Sequence, residues 1–284
     1  MGADAAAVVV VGGGVMGLAT AWELARRGKR PVVLERFARG HREGASHGAT
    51  RNFNNAYDED HYLDLLVRAR EGWDSLGDVG GTPLLRLHGL VTHGDVDLRR
   101  IHERLAARGI PAEVLSAGEA TRRWAGMRFD GDALWSPDAG VVRASAALIE
   151  FERRILAAGG DVRWSTPVAA IDDRGEGIDI ALADGSHLRA ETVVVTVGAW
   201  SRNLVGELGL PRLTVTEETP AHFAPVDDAV WPSFNHYVDP AEYPATVYGM
   251  PTPGEGVKVG FHRVGDEIDP DARPHVPTHL DTLA

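Results

Sequence analysis

Three glycines in the first twenty residues are spaced to bind a phosphate group. The segment Gly12-Gly13-Gly14-Val15-Met16-Gly17 matches G-x-G-x-x-G, with an apolar run before it and an amphipathic segment after it. In that context the first glycine permits a tight turn, the second lets backbone approach a pyrophosphate, and the third lets helix and strand pack closely. Glu35 follows Gly17 by 18 residues and can accept hydrogen bonds from a ribose hydroxyl. We infer a dinucleotide site; a structural glycine turn beside a surface glutamate is the alternative.

A second candidate group lies on the segment GVKVGFHRV, residues 256–264. Strand alternation places Lys258, Gly260 and His262 on one face, with Lys258 and His262 roughly 13 Å apart along an extended strand. The glycine between them leaves room for a flat ring. An exposed face of an edge strand is the simpler interpretation of these residues alone, because lysine is ordinarily exposed.

The apolar pattern predicts the elements that position these groups. Residues 5–11 read as a strand buried on both faces, residues 16–27 as a helix ended by Gly28, and residues 30–35 as a second strand, which together form a βαβ unit. The remaining predictions are a loop over 36–58, helices over 60–77, 97–109, 116–125 and 144–158, a strand over 84–94, a β-meander from 161 to 198 with its hairpin turn at Asp184-Gly185, and short strands over 246–251 and 256–264.

The fold class predicted is mixed α/β, with a Rossmann-type nucleotide-binding domain that includes a β-meander and a second, sheet-based domain. Composition shifts from residue 213 onward, where proline, glutamate and aromatic residues increase. We therefore assign residues 1–84 and 141–212 to the nucleotide-binding domain, and residues 85–140 and 213–284 to the second domain.

Composition excludes several classes of function. The 284 residues carry a net charge of −12, which argues against nucleic acids and anionic membranes as partners. The chain has no cysteine, so disulfides and thiolate chemistry are excluded. The apolar run at 5–11 is too short to span a membrane and lacks the flanks of a signal peptide, so we expect a cytoplasmic protein.

Four segments in order resemble the monomeric sarcosine oxidase and N-methyltryptophan oxidase family, which is FAD-dependent and similar to D-amino-acid oxidase. They are VVVVGGGVMGLATAWELARRG, GASHGATRNFNNAY, VVVTVGAWS and GVKVGFHRVGDEIDPD, and SPDAGVVRAS resembles the family's return to the FAD domain. The resemblance implies FAD rather than NAD as the cofactor. It also implies that the second domain is a substrate domain, incomplete here because the family's C-terminal segment is missing.

The resemblance implies the site residues. A loop with Ser46, His47, Gly48, Thr50 and Arg51 is expected to wrap the flavin, and Arg51 to stabilise negative charge on the reduced flavin. Lys258 corresponds to a lysine near the flavin that promotes reaction with oxygen, and His262 and Tyr248 to active-site residues. The FAD-binding residues implied are Gly12, Gly14, Val15, Met16, Gly17, Glu35, Arg36, Ser46, His47, Thr50, Arg51, Val168, Gly198 and Trp200.

One departure from the family concerns the substrate carboxylate. Well-known members carry a second arginine three residues after the first, and here that position is Asn54, which supplies neither the charge nor the bidentate fork. The identity of the amine is therefore left open. Covalent attachment of FAD through cysteine is impossible within this sequence.

The function predicted is oxidation of a secondary or primary amine to an imine, with O₂ reduced to H₂O₂ by a monomeric enzyme. A flavin dehydrogenase with another acceptor, a non-catalytic relic and an NAD dehydrogenase are the alternatives. The stretch Gly44–Gly48 fits the G-x-S-x-G pattern of a hydrolase, but no strand precedes it. No metal site is predicted, since Pro277 separates His275 from His279 and argues against a helix there.

Overall fold

The computed structural model describes residues 4–173, 175, 177–209, 211–226, 230–239, 241 and 243–273. Its strands, in chain order, are β1 (Asp4–Val11), β2 (Val32–Leu34), β3 (Thr50–Phe53), β4 (Asp78–Val79), β5 (Thr82–Pro83), β6 (Leu85–Leu87), β7 (Leu90–Gly94), β8 (Glu113–Leu115), β9 (Ala133–Ser136), β10 (Gly140–Arg143), β11 (Asp161–Arg163), β12 (Val168–Asp173), β13 (Ile178–Leu182), β14 (His187–Val195), β15 (Ala221–Phe223), β16 (Ser233–Tyr237), β17 (Val247–Thr252) and β18 (Gly256–Phe261). Its α-helices are α1 (Val15–Arg26), α2 (Asp60–Leu76), α3 (Leu98–Ala106), α4 (Ala117–Arg123), α5 (Ala144–Ala157) and α6 (Ser201–Val205).

The chain divides into two compact units, of which the first comprises residues 1–48 and 144–215. Its sheet has the strand order β11-β2-β1-β14-β13-β12. The first four strands run parallel, whereas β13 and β12 continue from β14 as an antiparallel meander. Residues Val8–Val11 of β1 are all buried, as a central parallel strand requires. Helices α1 and α5 pack together through Trp22 and Phe151, whose ring centroids lie 5.4 Å apart.

The second unit comprises residues 49–143 and 216–284, and its described residues form three sheets. The largest has the order β15-β18-β17-β16-β7-β9-β8, a smaller one has the order β3-β10-β6, and β4 pairs with β5. Helices α2 and α3 contribute Leu63, Ile101 and Leu105 to a core that also contains Leu90 of β7 and Leu134 of β9.

Most predicted elements are present, with bounds shifted by one to three residues at several ends. The helix predicted over 60–77 is α2, and the hairpin turn at Asp184-Gly185 is present, with Gly185 at φ +84°. The single strand predicted over 84–94 is wrong, because the chain breaks at Gly89 and passes from the small sheet to the large one. Gly89 has φ +85°, and a Cβ there would overlap the ring of Trp135.

The loop predicted over 36–58 contains a strand, β3, which pairs with β10. Neither β10 nor β9 was expected, because both lie in a stretch without a clear period. This pairing places residues 49–84 in the second compact unit, whereas the sequence assigned them to the nucleotide-binding domain. The functional roles of the two domains stay a prediction.

The described residues contain no helix with both the length and the apolar character of a membrane span. They also contain no cluster of three or more histidine, cysteine, aspartate or glutamate side chains suited to a metal ion. His275 and His279 lie outside the described residues.

Candidate functional site

The glycine-rich turn of the first unit has no room for side chains. Gly12 has φ +109°, and a Cβ there would lie 2.5 Å from the carbonyl oxygen of Thr196. A Cβ on Gly17 would overlap the carbonyl oxygen of Gly12, so only glycine lets α1 approach β1 this closely. The Thr196 hydroxyl fixes the turn by donating to the carbonyl oxygens of Val11 and Gly12, at 2.9 and 3.1 Å.

Glu35 follows the end of β2 and its carboxylate is tied to this turn. Oε2 accepts the N–H of Gly13 at 2.6 Å, and Oε1 accepts the N–H of Phe37 at 2.9 Å. The residue is buried. Glu35 therefore holds the second strand end against the glycine turn, a contact that the motif spacing did not predict.

The helix end that follows the turn is open at its surface. Gly14 is the N-cap of α1 and makes no side-chain cap, and the first turn carries no acidic residue. Ser46 comes from the following loop, and its Oγ accepts the N–H of Val15 at 3.0 Å. Met16 is 68% exposed. The first turn of the helix itself therefore adds no negative charge that would oppose an anion at the positive end of the helix dipole.

His47 and Gly48 are fixed within the same loop. Nδ1 of His47 lies 2.6 Å from the carbonyl oxygen of Gly44, so this nitrogen carries the proton. Gly48 has φ +99°, and its carbonyl oxygen accepts from the backbone and hydroxyl of Ser145 at the start of α5. The loop is therefore ordered by its own bonds, and no strand leads into Ser46 as a hydrolase elbow requires.

Arg36 and Trp200 meet beside the same strand end. The Arg36 guanidinium lies 5.3 Å from the Trp200 ring centroid and 4.8 Å from that of Phe37. Gly198, at φ +54°, begins the short 3₁₀ turn that carries Trp200. Val168, by contrast, packs its side chain against the apolar core of the sheet.

Two cationic side chains of the second unit converge on one backbone carbonyl. Lys258 is only 7% exposed, and its Nζ donates to the carbonyl oxygen of Thr50 at 3.0 Å. Nη1 of Arg51 donates to the same oxygen at 2.8 Å. Burial lowers the pKa of Lys258, and the nearby charge of Arg51 lowers it further, whereas Glu255 opposes the shift. Burial also lowers the pKa of Arg51.

The exposed position that sequence alone favoured for Lys258 is wrong. Strand β18 lies inside the large sheet, between β15 and β17, so it is not an edge strand. The short β15 pairs Ala221–Phe223 with Val257–Val259, and no pattern in the sequence indicated it.

Tyr248 occupies the space above Gly260. The two residues are directly paired between β17 and β18, and a Cβ on Gly260 would lie 2.8 Å from the Tyr248 hydroxyl. The room that the sequence left for a flat ring is thus filled by a ring of the chain itself. Burial raises the pKa of Tyr248, and the nearby charge of Arg51 opposes the rise.

His262 does not share the buried face of β18. The strand ends at Phe261, and the His262 side chain is exposed, although its N–H still donates to the carbonyl oxygen of Thr246 at 2.9 Å. The alternation predicted over 257–262 therefore holds for Lys258 and Gly260 and fails at His262, because the chain leaves the sheet there. Arg263 follows with φ +67°.

Asn54 is committed to internal hydrogen bonds. Its Oδ1 accepts from the N–H of Ala56 at 2.9 Å and from Nδ2 of Asn235 at 3.3 Å. It also forms a side-chain hydrogen bond with Tyr57, which lowers a Tyr57 pKa that burial raises. The polar group in the position of the family's second arginine therefore joins β16 to the segment after β3.

A family model described as FAD dependent oxidoreductase matches residues 7–283. The chain belongs to this family. The resemblance inferred from the four segments and the predicted α/β fold class are thereby confirmed, and the protein is an oxidoreductase of the FAD-dependent type.

Similar proteins include two curated oxidases. Monomeric sarcosine oxidase of Bacillus sp. (strain NS-129) is 28% identical over 280 residues, which covers 93% of this chain and 70% of that protein. N-methyl-L-tryptophan oxidase of Yersinia pestis (strain Pestoides F) is 27% identical over 277 residues, which covers 94% of this chain and 72% of that protein.

Two solved structures share the fold. The open form of NikD, an unusual amino acid oxidase essential for nikkomycin biosynthesis, has a TM-score of 0.81 and 27% identity, and the match covers 96% of this chain and 74% of NikD. L-proline dehydrogenase from P. horikoshii has a TM-score of 0.79 at 19% identity, over 99% of this chain and 75% of that one, which is a likeness of fold alone.

Thr252 was missed at the sequence level. Its hydroxyl lies 2.8 Å from that of Thr50, and both residues are buried. Thr252 falls in the turn-like stretch TPGEG, where threonine is unremarkable, so no signal in the sequence marks it.

Proposed function

We propose that this protein is an FAD-dependent amine oxidase. It oxidises a C–N bond of a secondary or primary amine, of the sarcosine or N-methyl amino acid kind, to an imine, and O₂ is reduced to H₂O₂. The observation that carries the proposal is a pair of cations, the buried Lys258 and the half-buried Arg51, which both donate to the Thr50 carbonyl oxygen. The relatives, which are named as oxidases of amino acids or their N-methyl derivatives, support the same chemistry.

The first unit supports FAD as the cofactor. The side-chain-free turn at Gly12 and Gly17, and the α1 start without an acidic residue, suit a negatively charged pyrophosphate. Glu35 uses one bond on each carboxylate oxygen for the backbone, which leaves acceptor capacity for a ribose hydroxyl. We further propose that FAD is held by Arg36, Ser46, His47, Thr50, Arg51, Gly198 and Trp200, and by the backbone of Val168, since its side chain packs in the core.

FAD, when bound, supplies the acceptor for the hydride that leaves the carbon next to the amine nitrogen. The protein's part is to bind the amine in its neutral form, because a protonated amine has no lone pair to form the C=N bond. Lys258 and Arg51 can do this, since a positive environment lowers the pKa of a neighbouring ammonium group. Arg51 and Lys258 suit this role better than His262, because His262 is exposed.

Lys258 is also the group that we propose to promote the reduction of oxygen. A buried ammonium with a fixed acceptor is a preorganised positive charge, which stabilises negative charge as it develops on O₂. A flavin dehydrogenase would need no such charge. The oxidase proposal is therefore tested at this residue.

The experiment starts from the visible spectrum of the purified chain, with acid-released flavin identified by chromatography. Stoichiometric FAD and a mass of one chain by light scattering are expected. In the FAD-loaded protein, Lys258→Met should slow the oxidation of reduced flavin by about a hundredfold or more, while reduction by an amine changes far less.

The chain offers a matched control, because Lys29 is its only other lysine and is exposed. Lys29→Met should leave both half-reactions unchanged. Equal loss in both half-reactions of Lys258→Met would contradict the role of Lys258. A wild-type protein that reduces dyes but not oxygen would be a dehydrogenase, and a colourless chain that FAD does not reconstitute would contradict FAD binding.

A further inference from the structure

We propose that Thr252 is a positioning residue for Lys258 and Arg51. Its hydroxyl fixes Thr50, whose carbonyl oxygen is the shared acceptor of the two cations. The proposal rests on the proposed function for its kinetic consequence, although its structural part can be tested without any activity.

The hydroxyl pair joins two different sheets. Thr50 lies on β3 in the three-stranded sheet, and Thr252 lies on β17 in the seven-stranded sheet. Their Oγ1 atoms are 2.8 Å apart, and Thr50 is 1% exposed and Thr252 2% exposed. Because water cannot replace either partner at such burial, loss of one hydroxyl leaves the other without a hydrogen bond.

The Lys258–Thr50 bond crosses between the same two sheets. Lys258 is carried by the β17–β18 hairpin, in which Thr252 pairs with Gly256 and Met250 pairs with Lys258. On the other side, Thr50 is anchored by its pairing with Arg143 of β10. The hydroxyl pair and the ammonium–carbonyl hydrogen bond therefore connect the same two sheets. The hydroxyl pair fixes how far the Thr50 carbonyl oxygen lies from Nζ of Lys258.

The position of this carbonyl matters because two cations depend on it. Arg51 and Lys258 repel each other, and burial disfavours the charge of both. A carbonyl oxygen placed between them offsets part of this cost by accepting from each. If the carbonyl moves, the ammonium of Lys258 loses its acceptor while remaining beside Arg51, which favours the neutral amine.

The test uses the fact that the chain has two lysines. Protein labelled with ¹³C and ¹⁵N in lysine gives two side-chain signals, one from Lys258 and one from exposed Lys29 as an internal reference. In Thr252→Val, the pKa read from the Lys258 signal should fall by about half a unit to one unit. This corresponds to the free energy of one neutral hydrogen bond, the one lost between Thr252 and Thr50. Thr252→Ser keeps the hydroxyl and should restore the wild-type value.

Thr92→Val is the matched control, because Thr92 is a buried threonine on β7 of the same sheet. It should leave the Lys258 signal unmoved. In FAD-loaded enzyme, Thr252→Val should slow reoxidation about three- to tenfold and leave reduction within about twofold, with Thr252→Ser near wild type. Thr50→Val removes the same bond from its other end and must reproduce the shift if Thr252→Val does not fold.

The outcomes separate the two proposals. A Lys258 pKa that stays unchanged or rises in Thr252→Val and Thr50→Val overturns the positioning role, whatever the enzyme oxidises. A fall in that pKa, together with a Lys258→Met enzyme that still reacts normally with oxygen, supports the positioning role and overturns the oxidase role of Lys258.

Discussion

The candidate residues of each unit are brought together over very different distances along the chain. In the first unit, Glu35 accepts a hydrogen bond from Gly13 across 22 positions, and Gly17 packs against Gly12, which precedes it by five positions. In the second unit, Lys258 reaches Thr50 across 208 positions, and Thr252 reaches it across 202. A site made from neighbouring residues leaves a motif in the sequence, whereas a site made by joining two sheets does not.

The glycine turn of the first unit could largely be predicted, because its geometry is local. Glycine spacing, an apolar strand before it and a periodic helix after it define the turn, and β1, α1 and β2 follow from the same pattern. The pattern did not predict the hydrogen bond that Glu35 accepts from the Gly13 N–H, since the carboxylate was expected to face a ligand. A carboxylate has enough lone pairs for both partners, and spacing alone does not show that the backbone takes one.

For the second unit, the resemblance indicated which residues matter, but nothing in the sequence predicted the contacts between them. The residues alone favoured an exposed Lys258, because lysine is ordinarily exposed and β15 is too short to show a pattern. The filling of the space over Gly260 by Tyr248 depends on the register of β17 against β18, which no local feature defines. The break at Gly89 was missed for the same reason, since it serves a long-range change of sheet.

The glycine turn of the first unit is tested most sharply by comparing two glycine-to-alanine substitutions. Gly17→Ala should lower the free energy of unfolding by about 3 kcal/mol, at the upper end for overpacking, because the new methyl group overlaps backbone. Gly72→Ala, also within a helix but with nothing within 4 Å, should raise it by about 0.5–1 kcal/mol. Urea unfolding measures both, and equal effects would mean that the turn tolerates a side chain.

The stability of the second unit should be the more sensitive to mild acid. His93 on β7 is 5% exposed and stacks on His236 of β16, with ring centroids 4.1 Å apart. Burial, with the neighbouring His236, lowers the pKa of His93 to about 4. Since this pKa lies below the unfolded value of 6.5, the contribution of neutral His93 to the free energy of unfolding is fully present above pH 6.5. It is lost as the pH drops toward 4, by up to roughly 3 kcal/mol.

Glu150 of the first unit responds only in stronger acid, because Arg153 and Arg154 lower its pKa to about 2. Urea unfolding at pH 8 and pH 5 should therefore show a loss at pH 5 that His93→Phe reduces. His88, whose pKa burial also lowers to about 4, accounts for part of what remains. An unchanged pH dependence in His93→Phe, with equal stability at pH 8, would show that the stacked pair does not govern it.

The smallest expected effect concerns Asn54, which joins β16 to the segment after β3. Asn54→Ala leaves the Ala56 N–H, the Asn235 amide and the Tyr57 hydroxyl each short of a partner, so we expect a loss of about 1–3 kcal/mol in urea unfolding. Asn203→Ala, at an exposed position of α6, is the comparison and should cost less, because water can replace a hydrogen-bond partner of an exposed side chain. A loss no larger than that of Asn203→Ala would show that the hydrogen bonds of Asn54 add little to the free energy of unfolding.

The scarcity of lysine in this chain has a practical consequence. With Lys258 buried and hydrogen-bonded, Lys29 is the only lysine whose amine reaches solvent. It lies just beyond the end of α1, about 18 Å along the helix axis from the glycine turn at its start. Amine-reactive coupling to a bead or an electrode through this side chain would therefore attach at a site one helix length away from the proposed nucleotide pocket.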